Sequence, residues 1–71
     1  MTNIPLSRRI TPRESDVLTL LAKGYTSKKI GLILNISSKT VDAHRLSLRR
    51  KLKVSTTTGL IQYAIKLNLI Q

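Results

Sequence analysis

The sequence contains no cysteine, phenylalanine or tryptophan, and only three of its 71 residues are acidic. Without cysteine there can be no disulfide bond and no thiolate metal site, and a small domain of this kind suits a reducing compartment. Without phenylalanine and tryptophan the core must be aliphatic. No apolar run approaches the roughly 20 residues of a membrane span, and the start, MTNIPLSRRI, is too polar for a signal peptide. We therefore expect a soluble cytoplasmic protein.

The charge that is present is almost entirely positive. Thirteen lysines and arginines against three acidic residues give a formal net charge of +10. Such an imbalance destabilises a compact state by self-repulsion, so it indicates a polyanionic partner. Nucleic acid is the first candidate, and an anionic membrane surface is the second. Hydrophobic residues still make up 41% of the chain, which is enough for one small folded domain.

The first helical segment is TPRESDVLTLLAKG, residues 11–24. Thr11 is a suitable N-cap, a proline follows at the first helical position, and Glu14 completes a capping box. Gly24 can adopt the left-handed conformation that ends a helix. The apolar stripe of this helix consists of Val17, Leu18 and Leu21. Residues 1–10 before it are expected to form a flexible basic lead-in.

A second, short helix is predicted in TSKKIGLILN, residues 26–35. Thr26 or Ser27 caps it, and Asn35 can take the left-handed exit. Its inward-facing residues are Ile30, Ile33 and Leu34. Gly31 in the middle lowers the helix propensity by up to ~1 kcal/mol relative to alanine. Either a neighbouring helix crosses closely at this glycine, or the position is a tolerated weak spot.

Two further helices are predicted in the second half of the chain. The segment SSKTVDAHRLSLRRKLK is capped by Ser37 or Ser38, and its buried stripe consists of Val41, Leu48 and Leu52. The segment STTTGLIQYAIKLNLI has a capping region at 55–57 and ends at Asn68. Its apolar side consists of Leu60, Ile61, Ala64 and Leu67. Short polar connections between the helices predict an all-α four-helix bundle over residues 11–71, in which helices two and three form a helix-turn-helix.

The face of the third helix opposite its buried stripe has an unusual composition. With a step of about 100° per residue, Leu48 and Leu52 fall within about 20° of Val41, whereas Leu46 falls on the opposite side. Ala43 and Arg50 share that opposite side with Leu46. A merely solvated face rarely places alanine and leucine at its centre. The major groove of B-DNA admits a helix, where apolar side chains can meet thymine methyl groups and arginine can pair with guanine.

Several residues of this helix are therefore candidates for DNA contacts. The N-terminal half of a recognition helix usually enters the groove. The candidates for base edges are Lys39, Asp42, Ala43, Arg45, Leu46 and Arg49. The candidates for phosphates are Thr26, Ser27, Lys28, Thr40, His44, Arg50 and Lys51. Each phosphate candidate could also be an ordinary solvated residue.

Asp42 leaves three interpretations open. Its carboxylate could accept a hydrogen bond from a cytosine amino group, or it could repel phosphate and set the register of binding. It could also be an exposed residue that only stabilises the helix N-terminus electrostatically.

The chain has too few reactive groups for a catalytic site. His44 is the only histidine, and there is no cysteine to accompany it. Metal binding and triad chemistry both need such partners, and no phosphate-binding glycine loop is present. A phosphate hydrogen bond or a role in helix packing fits His44 better. We expect no metal, no cofactor and no enzymatic activity.

Four motifs follow one another along the sequence: T-x-R-E-x-x-V-L, A-x-G-x-[ST]-x-K-x-I, L-x-I-S-x-x-T-V-x-x-H and K-L-x-V. With them the chain closely resembles the LuxR/FixJ-type (GerE-like) DNA-binding domain over residues 8–70. The resemblance implies a four-helix domain of bacterial transcription regulators that binds inverted-repeat DNA as a dimer. Asp42, Ala43 and Leu46 would then carry base readout. Thr40, His44 and Lys51 would contact the backbone or support the helix.

The resemblance also implies partners and a place of action. The fourth helix would be the self-association surface, with the candidate residues Leu60, Tyr63, Ala64 and Leu67. A contact with RNA polymerase and a location on the nucleoid would follow from a role in transcription. The sequence departs from the family at Gly31, where alanine is usual, and at Asp42, often a lysine. Most members carry a receiver or ligand-sensing domain before this one. The chain is therefore either a stand-alone regulator or a domain of a longer one, and we favour the latter.

Two other readings compete with this one. Region 4 of a bacterial sigma factor shares a TPRE…VL opening and a helix-turn-helix, and it docks on RNA polymerase. The segment KTVDAH favours the LuxR type, because the sigma pattern has a reading helix rich in arginine and glutamine. A cationic membrane binder would fold only on anionic lipid.

Overall fold

The computed structural model describes residues 10–66. Four helices follow one another in this range: α1 (Pro12–Ala22), α2 (Ser27–Leu34), α3 (Ser38–Leu52) and α4 (Thr57–Lys66). The predicted all-α four-helix architecture is confirmed. No helix of residues 10–66 is long and apolar enough to cross a membrane. The predicted lead-in before Ile10, Leu67 and the predicted helix end at Asn68 lie outside the described residues.

The ends of α1 have the local structure that its sequence predicts. Thr11 is the N-cap, and its Oγ1 accepts a hydrogen bond from the Glu14 N–H at 3.1 Å. Glu14 Oε1 in turn accepts from the Thr11 N–H at 2.9 Å, which completes the capping box. Beyond Lys23, Gly24 has a φ of 93°, a left-handed conformation that glycine adopts without steric cost. Thr11 and Glu14 therefore determine where the first helix begins, and Gly24 determines where it ends.

The core is aliphatic, and all four helices contribute to it. From α1 and α3 it takes the stripes that the helical period predicts, and from α2 it takes mainly Ile30, which is fully buried. From α4 it takes Leu60 and Ala64, whereas Ile61, which was also predicted for the apolar side, is only half-buried. Within residues 10–66, the buried apolar residues are Ile10, Val17, Leu18, Leu21, Ile30, Val41, Leu48, Leu52, Leu60 and Ala64. Partly buried residues, among them Leu34, Val54 and Tyr63, pack against this set.

Two apolar residues lie where the sequence pattern did not place them. Ile10 was assigned to the lead-in, but it is only 8% exposed and belongs to the core, so the folded part begins before Thr11. Ile33 was expected to face inward, but it is 47% exposed. The reason is that α2 packs through Ile30 and Gly31, which turns Ile33 toward a shallow groove between α1 and α2. No part of residues 10–66 covers that groove.

Helices α2 and α3 are joined by a tight turn. Asn35 ends α2 with a φ of 58°, the left-handed exit predicted for it. Ser37 caps α3, and its Oγ accepts from the Thr40 N–H at 3.0 Å. Between them, the Ile36 N–H donates to the Gly31 carbonyl at 2.9 Å. This turn brings the start of α3 against the middle of α2.

Gly31 marks a close approach of backbone to backbone. A Cβ atom built on this residue would lie 2.7 Å from the Ile36 carbonyl oxygen and 3.3 Å from the Ser38 nitrogen. The first distance is shorter than real Cβ contacts permit. Of the two interpretations left open by the sequence, the close approach is therefore correct, although the connecting turn makes it rather than a crossing helix.

Gly31→Ala is expected to destabilise the domain despite alanine's better helix propensity. Alanine gains up to ~1 kcal/mol as a helix former, whereas overpacking a tight site costs about 1–3 kcal/mol. The cost of overpacking exceeds the gain in helix propensity, because the obstructing atom is a backbone carbonyl oxygen within a fixed turn and cannot rotate away. We expect a net loss of about 1–2 kcal/mol, or about 4–16 °C in melting temperature for a domain of this size. Thermal unfolding followed by circular dichroism measures it.

Gly59→Ala is the matched control for this substitution. Gly59 is also a helical glycine, but its nearest obstacles are side-chain atoms, with the Cβ of Val54 at 3.1 Å. Contacts of this length require the neighbour to move by only a few tenths of an ångström, so we expect a change within about 0.5 kcal/mol. If Gly31→Ala were as well tolerated as Gly59→Ala, the turn would not require glycine.

Candidate nucleic-acid interface

The exposed face of α3 carries four of the six residues predicted to contact base edges. Lys39, Asp42, Ala43 and Leu46 are exposed, and Leu46 keeps 42% of its surface in solvent. Arg49 is half-buried at the margin of this face. The opposite stripe of α3 is buried, as the helical period predicted. The helix therefore presents small and apolar residues at the centre of its free face and charged residues around them.

The N-terminus of α2 lies beside this face. Ser27 Oγ donates to Asp42 Oδ1 at 2.7 Å, which joins the start of α2 to the N-terminal half of α3. Thr26 caps α2, with its Oγ1 accepting from the Lys29 N–H at 3.2 Å, and Lys28 is exposed. The first N–H groups of a helix have no intrahelical partner, so this end attracts anions. Donors suited to phosphate thus border the face suited to bases.

Three other phosphate candidates lie along α3 itself. Thr40 is exposed, and its hydroxyl lies 2.9 Å from the Ser37 hydroxyl. Arg50 is exposed one turn beyond Leu46, and His44 is half-buried. Within residues 10–66, no three His, Cys, Asp or Glu side chains come together as a metal ion would need. The side chains around α3 thus form a set of hydrogen-bond donors.

Arg45 does not belong to the free face, which corrects its assignment to base edges. Its guanidinium donates through Nη1 to Ser27 Oγ at 2.7 Å and through Nη2 to Thr57 Oγ1 at 2.6 Å. The side chain is only 26% exposed. The physical reason is its position one helical turn after the buried Val41, about 40° from the centre of the core stripe. Arg45 therefore bridges α2, α3 and α4.

Lys51, a phosphate candidate, is also engaged within the domain. Its Nζ donates to Glu14 Oε1 at 2.7 Å, and Glu14 is only 3% exposed. Ser47 Oγ donates to the other carboxylate oxygen at 2.6 Å. Of the two roles that the family resemblance implied for Lys51, support of the helix is the one that this geometry fits. The Glu14 carboxylate holds α3 against α1.

The environment of Glu14 determines its ionisation. Burial raises the pKa of its carboxyl group, but the hydrogen bonds from Lys51, Ser47 and the Thr11 N–H outweigh burial and leave the pKa below its ordinary value. The charged form is therefore the one that folding stabilises. From the sequence we predict only the capping role of Glu14. A signal for more was present, since Glu14 continues the stripe of Val17, Leu18 and Leu21 at helical spacing.

Comparison with known proteins identifies this arrangement. The family described as bacterial regulatory proteins, luxR family (GerE), matches residues 8–64 of the chain. The chain belongs to the LuxR family. The resemblance inferred from the sequence motifs is thereby confirmed, and the domain is of the DNA-binding, helix-turn-helix type of transcription regulators.

The relatives of this LuxR-type domain are mostly longer proteins. The transcriptional regulatory protein MctR of Rhizobium johnstonii is 46% identical over 56 residues, which cover 79% of this chain and 26% of MctR. The oxygen regulatory protein NreC of Staphylococcus carnosus is 41% identical over 69 residues, which cover 97% of this chain and 31% of NreC. The structure of the transcription factor GerE superposes with a TM-score of 0.82 at 32% identity, covering 96% of this chain and 97% of GerE. The chain thus spans less than a third of either curated relative's length.

The proposed dimer surface of the LuxR-type domain needs a correction. Leu60 and Ala64 were candidates for it, but both are fully buried in the core and cannot meet a partner. The helical period of the sequence places the same two residues on the apolar inner side of α4, and that placement is the correct one. Tyr63 is half-buried, whereas Ile65 is 59% exposed and had not been considered.

Proposed function

We propose that this domain binds double-stranded DNA in a sequence-specific manner, with the N-terminal half of α3 in the major groove. The observation that carries the proposal is the position of the α2 N-terminus beside the free face of α3. A helix that fits the groove is thereby bordered by donors at the place where phosphates would lie. Bound in this way on the nucleoid, in the cytoplasm, the domain would regulate transcription.

The two classes of contact divide among different residues. Side chains on the free face and its margin would meet base edges, and these are Lys39, Asp42, Ala43, Leu46 and Arg49. Groups around that face would meet phosphates, and these are the side chains of Thr26, Lys28, Thr40, His44 and Arg50 and the backbone N–H of Ser27. Phosphate contacts supply most of the affinity, whereas base contacts supply the choice of sequence.

Two copies of the domain would bind an inverted repeat through α4. Ile65 is a large apolar residue with 59% of its surface in solvent, and Thr58 and Gln62 are exposed on the same side of the helix. A face of this kind can meet its own copy across a twofold axis. Half-sites would then lie about 34–36 Å apart, one turn of DNA.

Binding to a DNA duplex is expected to weaken steeply with salt. Each phosphate neutralised releases counterions and lowers the logarithm of the binding constant by about 0.9 per tenfold increase in salt. With about six phosphate contacts the affinity should fall roughly a thousandfold between 50 and 200 mM salt. Fluorescence anisotropy of a labelled duplex measures the slope. A slope near zero would overturn the proposed function.

Lys28→Ala should reduce that slope by about one phosphate equivalent for every duplex sequence. Lys66→Ala is the matched control, because Lys66 is also an exposed lysine but lies at the far end of α4, about 13 Å along the helix from Thr57. It should leave the slope unchanged. Equal effects of the two substitutions would show that net charge alone, rather than the α2–α3 surface, binds the DNA.

A further inference from the structure

A chain of hydrogen bonds connects α4 to the base-facing side of α3. Arg45 donates to Thr57 Oγ1 at 2.6 Å and to Ser27 Oγ at 2.7 Å, and Ser27 Oγ donates to Asp42 Oδ1 at 2.7 Å. The side chain of Arg45 is 26% exposed, whereas that of Asp42 is 64% exposed. This series of hydrogen bonds therefore connects the half-buried guanidinium of Arg45 to the exposed carboxylate of Asp42. We refer to these four residues, Thr57, Arg45, Ser27 and Asp42, as the Asp42 network.

The chemistry of these groups determines which atom donates in every hydrogen bond of the Asp42 network. A guanidinium can only donate, so the Ser27 oxygen accepts from Arg45. The single proton of the Ser27 hydroxyl is then free to go to Asp42. The Arg45 guanidinium also lies 3.8 Å from Asp42 Oδ1. Within residues 10–66, no hydrogen bond reaches Asp42 Oδ2, which is therefore left as an exposed acceptor.

We propose that Asp42 recognises the exocyclic amino group of a cytosine, and that Ser27 and Arg45 are positioning residues that hold its carboxylate for this contact. This inference rests on the proposed placement of α3 in the major groove. A carboxylate can only accept hydrogen bonds there. Guanine presents the acceptors O6 and N7, and thymine presents the acceptor O4, so both would repel it.

Cytosine is also preferred over adenine. Adenine has an amino donor, but the acceptor N7 lies beside that donor and faces the same side chain. The cytosine N4 amino group has an acceptor on one side only, the O6 of the paired guanine, whereas the adenine amino group lies between its own N7 and thymine O4. An acceptor already oriented by Ser27 loses little conformational freedom on meeting that donor. The expected preference for cytosine at one position of the half-site is about 5- to 150-fold.

The test is a selection of DNA sites from a random duplex library by the 71-residue chain and its variants. The wild-type chain should select a motif with cytosine at one position of each half-site. Asp42→Asn should change that position toward adenine, because an amide can pair with adenine N6 and N7 together. Ser27→Ala should keep cytosine there but reduce the preference several-fold, with the other positions unchanged. Arg45→Lys should also reduce the preference for cytosine at this position.

A matched control is available at the start of the next helix. Ser38 is the first residue of α3, as Ser27 is of α2, and Ser38→Ala should leave the cytosine position unchanged. Circular dichroism confirms that each variant is folded, and Asp42→Asn changes only an exposed side chain. An unchanged motif with Asp42→Asn would overturn the inference alone. The absence of any selected motif with the wild-type chain would overturn the proposed function as well.

Arg45→Lys also separates positioning from direct contact. If Arg45 itself paired with a guanine, its substitution would alter a guanine position and leave the cytosine position intact. That outcome would also contradict the inference. A loss of preference confined to the cytosine position supports it, because a general loss of stability would weaken all positions alike.

Discussion

Glu14→Ala is expected to remove about 3 kcal/mol of the free energy of unfolding, near the lower end of what breaking a buried ion pair costs. The substitution leaves the Lys51 ammonium, the Ser47 hydroxyl and the Thr11 N–H without their common acceptor. Lys51 keeps 32% of its side-chain surface in water, which is why the larger losses in that range are not expected. A domain of this length has about 4–10 kcal/mol of stability in all. Urea denaturation followed by circular dichroism measures the loss.

Asp16→Ala provides the control on the same helix. Asp16 also lies in α1 and faces a basic partner, but its carboxylate is 3.8 Å from Arg13 and 56% exposed. An exposed pair of this kind contributes about 0–1 kcal/mol. Equal losses for the two variants would mean that the burial of Glu14 and its three donors have no special effect on stability.

Acid titration gives an independent check on Glu14. Because its pKa is lowered in the folded state, the group stabilises the fold fully above its unfolded pKa of about 4.3. That contribution is lost as the pH falls through the lowered folded value. Glu14→Gln cannot titrate, so its difference in stability from the wild type should shrink on acidification below about pH 4. A constant difference would contradict the ionised state assigned to the carboxylate.

Local patterns predicted the parts of the fold that depend on neighbours in sequence. The capping box of Thr11 and Glu14, the left-handed Asn35 and the two faces of α3 all involve residues within a few turns of one another. The helical period was sufficient there, because each pattern has one structural solution at short range. Family resemblance then identified the type of domain from residues that the same patterns had placed.

Contacts between distant residues could not be predicted in this way. Lys51 lies 37 residues after Glu14, and Arg45 lies 18 residues after Ser27. Both cations were assigned to DNA because a basic residue on a recognition helix has two possible uses, and sequence spacing does not distinguish them. The helical period held an unused signal for Arg45, because a position one turn after Val41 lies about 40° from the centre of the core stripe. Only the positions of α1, α2 and α4 show which cations are already paired.

The same limit explains the errors on α4 and α2. Leu60 and Ala64 form the inner side of α4, and an inner side cannot also be a surface for a partner. The resemblance to the family indicated a surface on this helix but not which of its sides. Ile33 was placed inside because its spacing from Ile30 fits a stripe, but α2 has only eight residues and buries a narrow line of them. The width of a buried stripe is set by the neighbouring helices.

Leu48→Ala and Leu46→Ala are expected to separate stability from DNA recognition on a single helix. The two leucines are two residues apart, so they point about 200° away from each other. Leu48 is fully buried, and its truncation leaves a cavity that costs about 3–5 kcal/mol, enough to unfold much of the domain. Leu46 is 42% exposed, and the same truncation should cost less than about 1 kcal/mol. Urea denaturation compares the two.

The effect on DNA should be the reverse. Leu46→Ala should stay folded but bind the selected site more weakly, because the apolar group that we propose to meet a thymine methyl in the major groove becomes smaller. The loss should be confined to duplexes that carry the selected sequence, and binding to unrelated duplexes should be nearly unchanged, since an apolar side chain has no hydrogen-bond donor or charge to offer a phosphate. Equal losses of stability in the two variants would mean that both faces of α3 are packed. Unchanged site preference in Leu46→Ala would mean that the apolar centre of the free face is not read, which would leave sequence choice to the charged residues around it.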